Sequence, residues 1–224
     1  MNDIGLAFSA PFKDPHWGQK FVIGALVVLL CLTGLGFFVL AGYYVELTQR
    51  VMRKEPSPLP AWNDLGVKLI VGVKYAVVVF LYALPLILLA IPMIVIMALA
   101  AVNEQSTSVA FAASIYVFAF ALIAFPYGIL LSLLTPIIAF RFAARGRISD
   151  ALDIGAIFRT FKRDWEGTLV VALLAVGVQT LGSLGLLGLV VGVLVTLFYV
   201  YLVSAFLHGL LYLDYVKKGG EVLV

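Results

Sequence analysis

Charge is what this chain has least of. Only 12% of its 224 residues are Asp, Glu, Lys or Arg, against about a quarter in an ordinary soluble domain. The deficit is filled by apolar residues, at 63%. In water such a chain would expose apolar surface everywhere, so its solvent is lipid. Cysteine is nearly absent. The single Cys31 lies in an apolar run, which excludes an intrachain disulfide and any cysteine-based metal site, and it reads as a small packing residue. The two histidines, His16 and His208, are far apart in sequence, so no metal centre is expected. No paired carboxylates, Ser-His-Asp set or Cys-His set is visible, so neither an enzyme nor a cofactor is expected. No cleavable signal peptide is expected either, because about twenty mixed polar and aromatic residues precede the first apolar run.

Ionisable groups are missing where a pump would keep them. The runs 21–44, 75–101, 109–140, 168–184 and 186–213 contain no Asp, Glu, Lys or Arg. Charge at membrane depth costs several kcal/mol and is retained where it does work. Its lack argues against ion-coupled transport and leaves a passive pore open. The net charge of +3 would hint at nucleic acid in a soluble protein; in a membrane chain its position matters more than its sum, and no nucleic acid partner is expected.

What is present is a series of apolar runs with polar joints. Residues 1–20 set Phe8, Phe12 and Trp17 among Lys13, Asp14, His16 and Lys20, with Pro11 and Pro15 interrupting any long helix, and read as an interfacial segment. Residues 21–44 are long enough for one crossing at about 1.5 Å per residue. Their middle, Thr33-Gly34-Leu35-Gly36, is a candidate break. Pro56, Pro58 and Pro60 mark a turn before the next helix. The apolar run 68–102 is too long for one upright crossing. It is divided into an interfacial start to Lys74 and a crossing over 75–101, kinked at Pro85 and Pro92. A polar turn at 103–108 leads to a return crossing over 109–142, with Pro126 and Pro136 as kinks and an end near Pro136. Residues 149–166 read as an amphipathic interfacial helix capped by Ser149. Ile154, Ile157, Phe158, Phe161 and Trp165 share one face, and Arg159, Lys162, Arg163 and Asp164 lie elsewhere. Crossings over 168–184 and 186–213 complete the chain. The fold class is therefore all-α, a polytopic transmembrane helical bundle forming one integral membrane domain.

All 15 Lys and Arg fall within residues 1–20, 50–74, 141–163 and 217–218. The positive-inside bias places these segments, and the C-terminus, in the cytoplasm, with the amphipathic helices on that side of the membrane. Residues 21–44 then either re-enter, bent at Thr33-Gly34-Leu35-Gly36, or cross once and leave Lys13 and Lys20 outside. A weak internal echo favours re-entry. Trp17, Trp62 and Trp165 each stand before an apolar run, and Phe12-Lys13-Asp14 ahead of Trp17 echoes Phe161-Lys162-Arg163-Asp164 ahead of Trp165. Tryptophan anchors helix ends at headgroup level, so three units starting alike would start on one side.

Several stretches carry a resemblance. Gly42-Tyr43, then Leu59-Pro60-Ala61-Trp62-Asn63-Asp64, then Gly72-Val73-Lys74 come first. Pro136-Ile137-Ile138-Ala139-Phe140-Arg141-Phe142-Ala143 and Asp150-Ala151-Leu152-Asp153 follow. In this order they resemble an uncharacterised prokaryotic multi-pass membrane family, the domain of unknown function numbered four-zero-one-three. Ala61 stands where that family tends to carry Glu. More distantly the layout looks like the membrane half of glycerophosphodiester phosphodiesterases. The resemblance implies a fold and supplies no mechanism.

The remaining candidates are structural. Gly182, Gly185, Gly188 and Gly192 form a small-residue stripe suited to helix packing, within the chain or between copies. A nucleotide-binding glycine loop would need a flanking strand and water. Gln179, Thr180 and Ser183 are suited to bonds across helices. His208 reads as a ring bonded to a neighbouring helix or a headgroup. Glu46, Glu104 and Asp214 read as solvated helix ends. Trp17, Trp62 and Trp165 are expected interfacial anchors, and Arg159, Lys162 and Arg163 expected contacts for lipid headgroups. The expected partners are membrane lipids and further copies or other membrane subunits. The expected role is a non-enzymatic scaffold or accessory subunit, with a passive channel or transporter component, or a lipid-binding or membrane-shaping protein, as alternatives.

Overall fold

The structure is a computed structural model that describes residues 4–56, 59–102, 107–183 and 189–224. Among the described residues every regular element is a helix. In order they are α1 (Ile4–Ser9), α2 (Trp17–Leu30), α3 (Leu35–Met52), α4 (Leu65–Val102), α5 (Thr107–Arg145), α6 (Ile148–Leu152), α7 (Ile154–Arg163), α8 (Trp165–Ser183) and α9 (Leu189–Lys217). Three stretches are long and apolar enough to cross a membrane: Leu65–Leu99, Thr107–Arg145 and Gly192–Lys217. The apolar part of α8, Trp165–Thr180, is shorter, and Gly5–Lys13 with Trp17–Thr33 forms a pair bent by 101°. The protein is membrane-embedded.

Several boundaries differ from those the sequence suggests. No break separates an interfacial start from a crossing at Lys74: α4 runs unbroken from Leu65 to Val102. α5 likewise continues through Pro136 to Arg145, and residues 136–144 are buried rather than interfacial. The expected helix over 149–166 is three pieces. Ser149 lies inside α6 and caps nothing. Asp153 instead accepts a 2.8 Å hydrogen bond from the Ala156 amide and opens α7, and Asp164 interrupts the backbone again before α8.

The chain divides into two compact units, residues 79–132 and the remainder. In the 79–132 unit the ends of α4 and α5 form an apolar hairpin whose large side chains, among them Phe80, Ile94, Phe111 and Phe125, face outward. Each helix carries proline in its interior. A proline has no N–H to give the carbonyl four residues back, and the kink loosens the next bond as well. Two α5 tyrosines answer this. The Tyr127 hydroxyl donates to the Tyr82 carbonyl at 2.7 Å and the Tyr116 hydroxyl to the Leu89 carbonyl at 3.0 Å. Those carbonyls stand three residues before Pro85 and Pro92. In lipid, where no water can serve them, such bonds matter.

The larger unit is built on α9. α3 runs parallel to it: Thr48 donates to the Ala205 carbonyl at 3.4 Å, the Tyr44 ring meets Tyr201, and Gly209 lies against Thr48 and Val51. α8 runs antiparallel, with Gly182 beside Val200 at one end and Asp164 beside Lys218 at the other. α2 and α3 fold back on each other at Gly34, whose φ of +81° suits glycine. α3 and α4 cross with their backbones touching. A Cβ on Gly42 would run into the Lys68 carbonyl, and one on Gly72 into the Phe38 carbonyl. Tyr43, Phe140, Phe142, Phe198, Ile157 and Leu207 lie fully within this core.

Candidate functional site

The polar groups of the larger unit gather where helices begin. Ahead of α2, Asp14 is 4% exposed. Its carboxylate accepts the His16 amide at 2.9 Å and the Lys20 ammonium at 2.7 Å, and Lys20 also donates to the Leu59 carbonyl at 2.8 Å. Ahead of α8, Asp164 is 2% exposed. It accepts the Gly167 amide at 3.1 Å and the Lys218 ammonium at 2.5 Å, and Lys218 also meets Asp214 at 3.2 Å. At the start of α4 the roles reverse. Lys68, 4% exposed, reaches Glu46 of α3 at 2.8 Å and the Asn63 carbonyl at 3.0 Å. The segments headed by Trp62 and Trp165 are thus fixed to the bundle by lysine–carboxylate pairs, whereas the Asp14–Lys20 pair closes within the Trp17 segment and Lys20 reaches outward to the Leu59 carbonyl. In each pair one member is buried, and removing its partner leaves that charge uncompensated in the interior. Glu46 and Asp214, expected as solvated ends, are paired, and Asp164, expected on the polar face, is interior. The Asp164 carboxylate, with a smaller contribution from Asp214, holds the Lys218 ammonium above its ordinary pKa of 10.5.

His208 is 3% exposed on α9, and its Nδ1 meets the Tyr44 hydroxyl of α3. The ring's Nε2 has no hydrogen-bond partner among the described residues. Tyr44 stacks on Tyr75 at 5.8 Å, and Tyr75 leans on Phe142 at 5.3 Å, so the pair is walled by aromatic rings. The bond ties two helices together, as the sequence reading of His208 has it.

The three tryptophans differ. Trp17 and Trp165 are exposed, at 43% and 54%. Trp62 stacks on Tyr43 at 4.3 Å, and its N–H donates to the Lys20 carbonyl at 3.0 Å, so its polar edge is spent inside the protein. On α7, Arg159 and Lys162 are exposed, whereas the Arg163 guanidinium donates to the Gly219 carbonyl. Ile157, expected on the outward apolar face, is buried with Ala156 and Thr160. Of the glycine stripe, Gly182 lies against Val200, with 2.8 Å between a built Cβ and the valine, and the Gly192 carbonyl accepts the Thr196 hydroxyl at 2.7 Å. Gly185 and Gly188 lie outside the described residues.

The family model described as a protein of unknown function, DUF4013, matches residues 25–213. The chain belongs to the DUF4013 family. No curated protein and no solved structure matches this DUF4013 chain, so the likeness to glycerophosphodiester phosphodiesterases has no support beyond layout. The matched region holds Gly42, Gly72, Lys68, Trp62 and Asp164, the residues that fix helix to helix. Sequence reasoning missed the tyrosine–carbonyl bonds and the Tyr44–His208 pair. The Asp14 and Asp164 echo was the one available signal for the buried carboxylates.

Proposed function

We propose that this DUF4013 protein is a non-enzymatic membrane scaffold or accessory subunit that self-associates or docks on a larger membrane complex. One observation carries the reading: the buried polar groups of the larger unit are used to join helices, in the Lys68–Glu46 and Lys218–Asp164 pairs and the Tyr44–His208 bond. The scaffold sits in the cytoplasmic membrane of a prokaryote, with the basic segments and the C-terminus inside, as the charge bias favours. Cross-linking in native membranes tests the role. Adducts of two copies, or of this chain with another membrane protein, are expected; monomers alone would refute it.

A second reading, a passive channel or transporter component, is favoured by the way α2 and α3 fold back at Gly34, a form suited to a re-entrant loop lined by protein. Flux of varied solutes into liposomes carrying the protein is the measurement, and no flux for any solute sinks that reading.

A further inference from the structure

We propose that α7 is a contact for anionic lipid headgroups, in which Arg159 and Lys162 hold the phosphate and the Ile154, Phe158 and Phe161 stripe enters the acyl boundary. The argument begins with helical spacing. At 3.6 residues per turn, α7 has three faces roughly a third of a turn apart. One carries Ala156, Ile157 and Thr160, which are buried and fix the helix to the larger unit. The second carries Ile154, 61% exposed, Phe158, 41% exposed, and the half-buried Phe161. The third carries Arg159, Lys162 and Arg163. A soluble helix held by one face would be polar around the rest. This one presents an apolar stripe between its anchored face and its cationic face, an order that fits a helix lying in a bilayer surface beside a protein.

Two further observations select lipid as the occupant. Beyond the break at Asp164 the exposed Trp165, Leu169, Val170 and Leu173 follow on the apolar α8, so exposed apolar residues continue along the chain from α7 into a helix of membrane composition. The charge complement is anionic: among the described residues Arg159 and Lys162 make no ion pair with a carboxylate, and Arg163 keeps its charge while donating to the Gly219 carbonyl. Fixing α7 through the Asp164–Lys218 pair and the Arg163–Gly219 bond holds the two free cations at a set height above the stripe.

This inference rests on the membrane placement of the larger unit, and the experiment separates the two. The full chain is reconstituted into equimolar phosphatidylglycerol–phosphatidylcholine vesicles in which either the one or the other lipid is brominated, and vesicle flotation is followed beside tryptophan quenching. The difference between wild type and W165F isolates Trp165. Each cation near an anionic surface favours it by roughly fivefold, so quenching at least about twofold stronger by the anionic lipid is expected. R159Q/K162Q should bring that ratio to one. Equal quenching by the two lipids, or a ratio that R159Q/K162Q does not move, overturns the proposal while the membrane placement stands. Protein that does not float with the vesicles overturns the membrane placement itself.

Discussion

Single atoms decide much of this protein. Gly42 and Gly72 are required because the α3 and α4 backbones meet there, and a methyl group at either would overlap a carbonyl oxygen. G72A should therefore destabilise by about 1–3 kcal/mol or force the helices apart, which steric-trap unfolding in bicelles would register. Tyr127 and Tyr116 act on carbonyls that Pro85 and Pro92 loosen. Y127F keeps the ring and removes only the hydroxyl. It should cost about 0.6–1.7 kcal/mol by the same measurement, and Y116F a similar amount. None of these partnerships was legible in the sequence. Tyr44 and His208 are 164 residues apart, and nothing in an apolar run says which hydroxyl faces which carbonyl. The need for glycine was visible only as Gly42-Tyr43 and Gly72-Val73-Lys74 within a resemblance, without its cause.

Elements were easier to read where their cause is local. Long apolar runs make helices in lipid, because every backbone group must find its partner within the segment, and α4, α5 and α9 follow from that alone. Boundaries set by a side chain were misjudged. Asp153, rather than Ser149, captures a free amide and starts α7, and Asp164 turns inward to meet a lysine that arrives from the far end of the chain. The Asp164–Lys218 pair gives a pH prediction whose sign is fixed by Lys218. A lysine held above its ordinary 10.5 contributes stability throughout neutral pH and loses it as pH rises through its folded-state value. Unfolding measured between pH 8 and 12 should show an alkaline loss that D164N removes. D153A should cost about 1 kcal/mol and raise amide exchange at the start of α7 first.

At the scale of the molecule, the all-α membrane fold and the family were both visible in composition, run lengths and motif order. The proposed placement of basic segments in the cytoplasm predicts that Cys at position 147 or 219, introduced into a C31A background, is labelled by a membrane-impermeant maleimide only after the cells are opened. Labelling of intact spheroplasts would contradict it. α9 adds a constraint of its own. The aromatic rings around the Asp14–Lys20 pair, Phe12 and Phe21, rest on Tyr199 and Phe198, whereas the Asp164–Lys218 pair closes its far end. From Tyr199 to Lys218 is about 28 Å of helix at ~1.5 Å per residue, close to the thickness of a hydrocarbon core. Two lysine pairs so spaced act as an inclinometer: with both proposed to lie in the cytoplasm, α9 must either recline or stand its last turns out of the lipid, and paramagnetic depth probes at positions 20 and 218 would tell which.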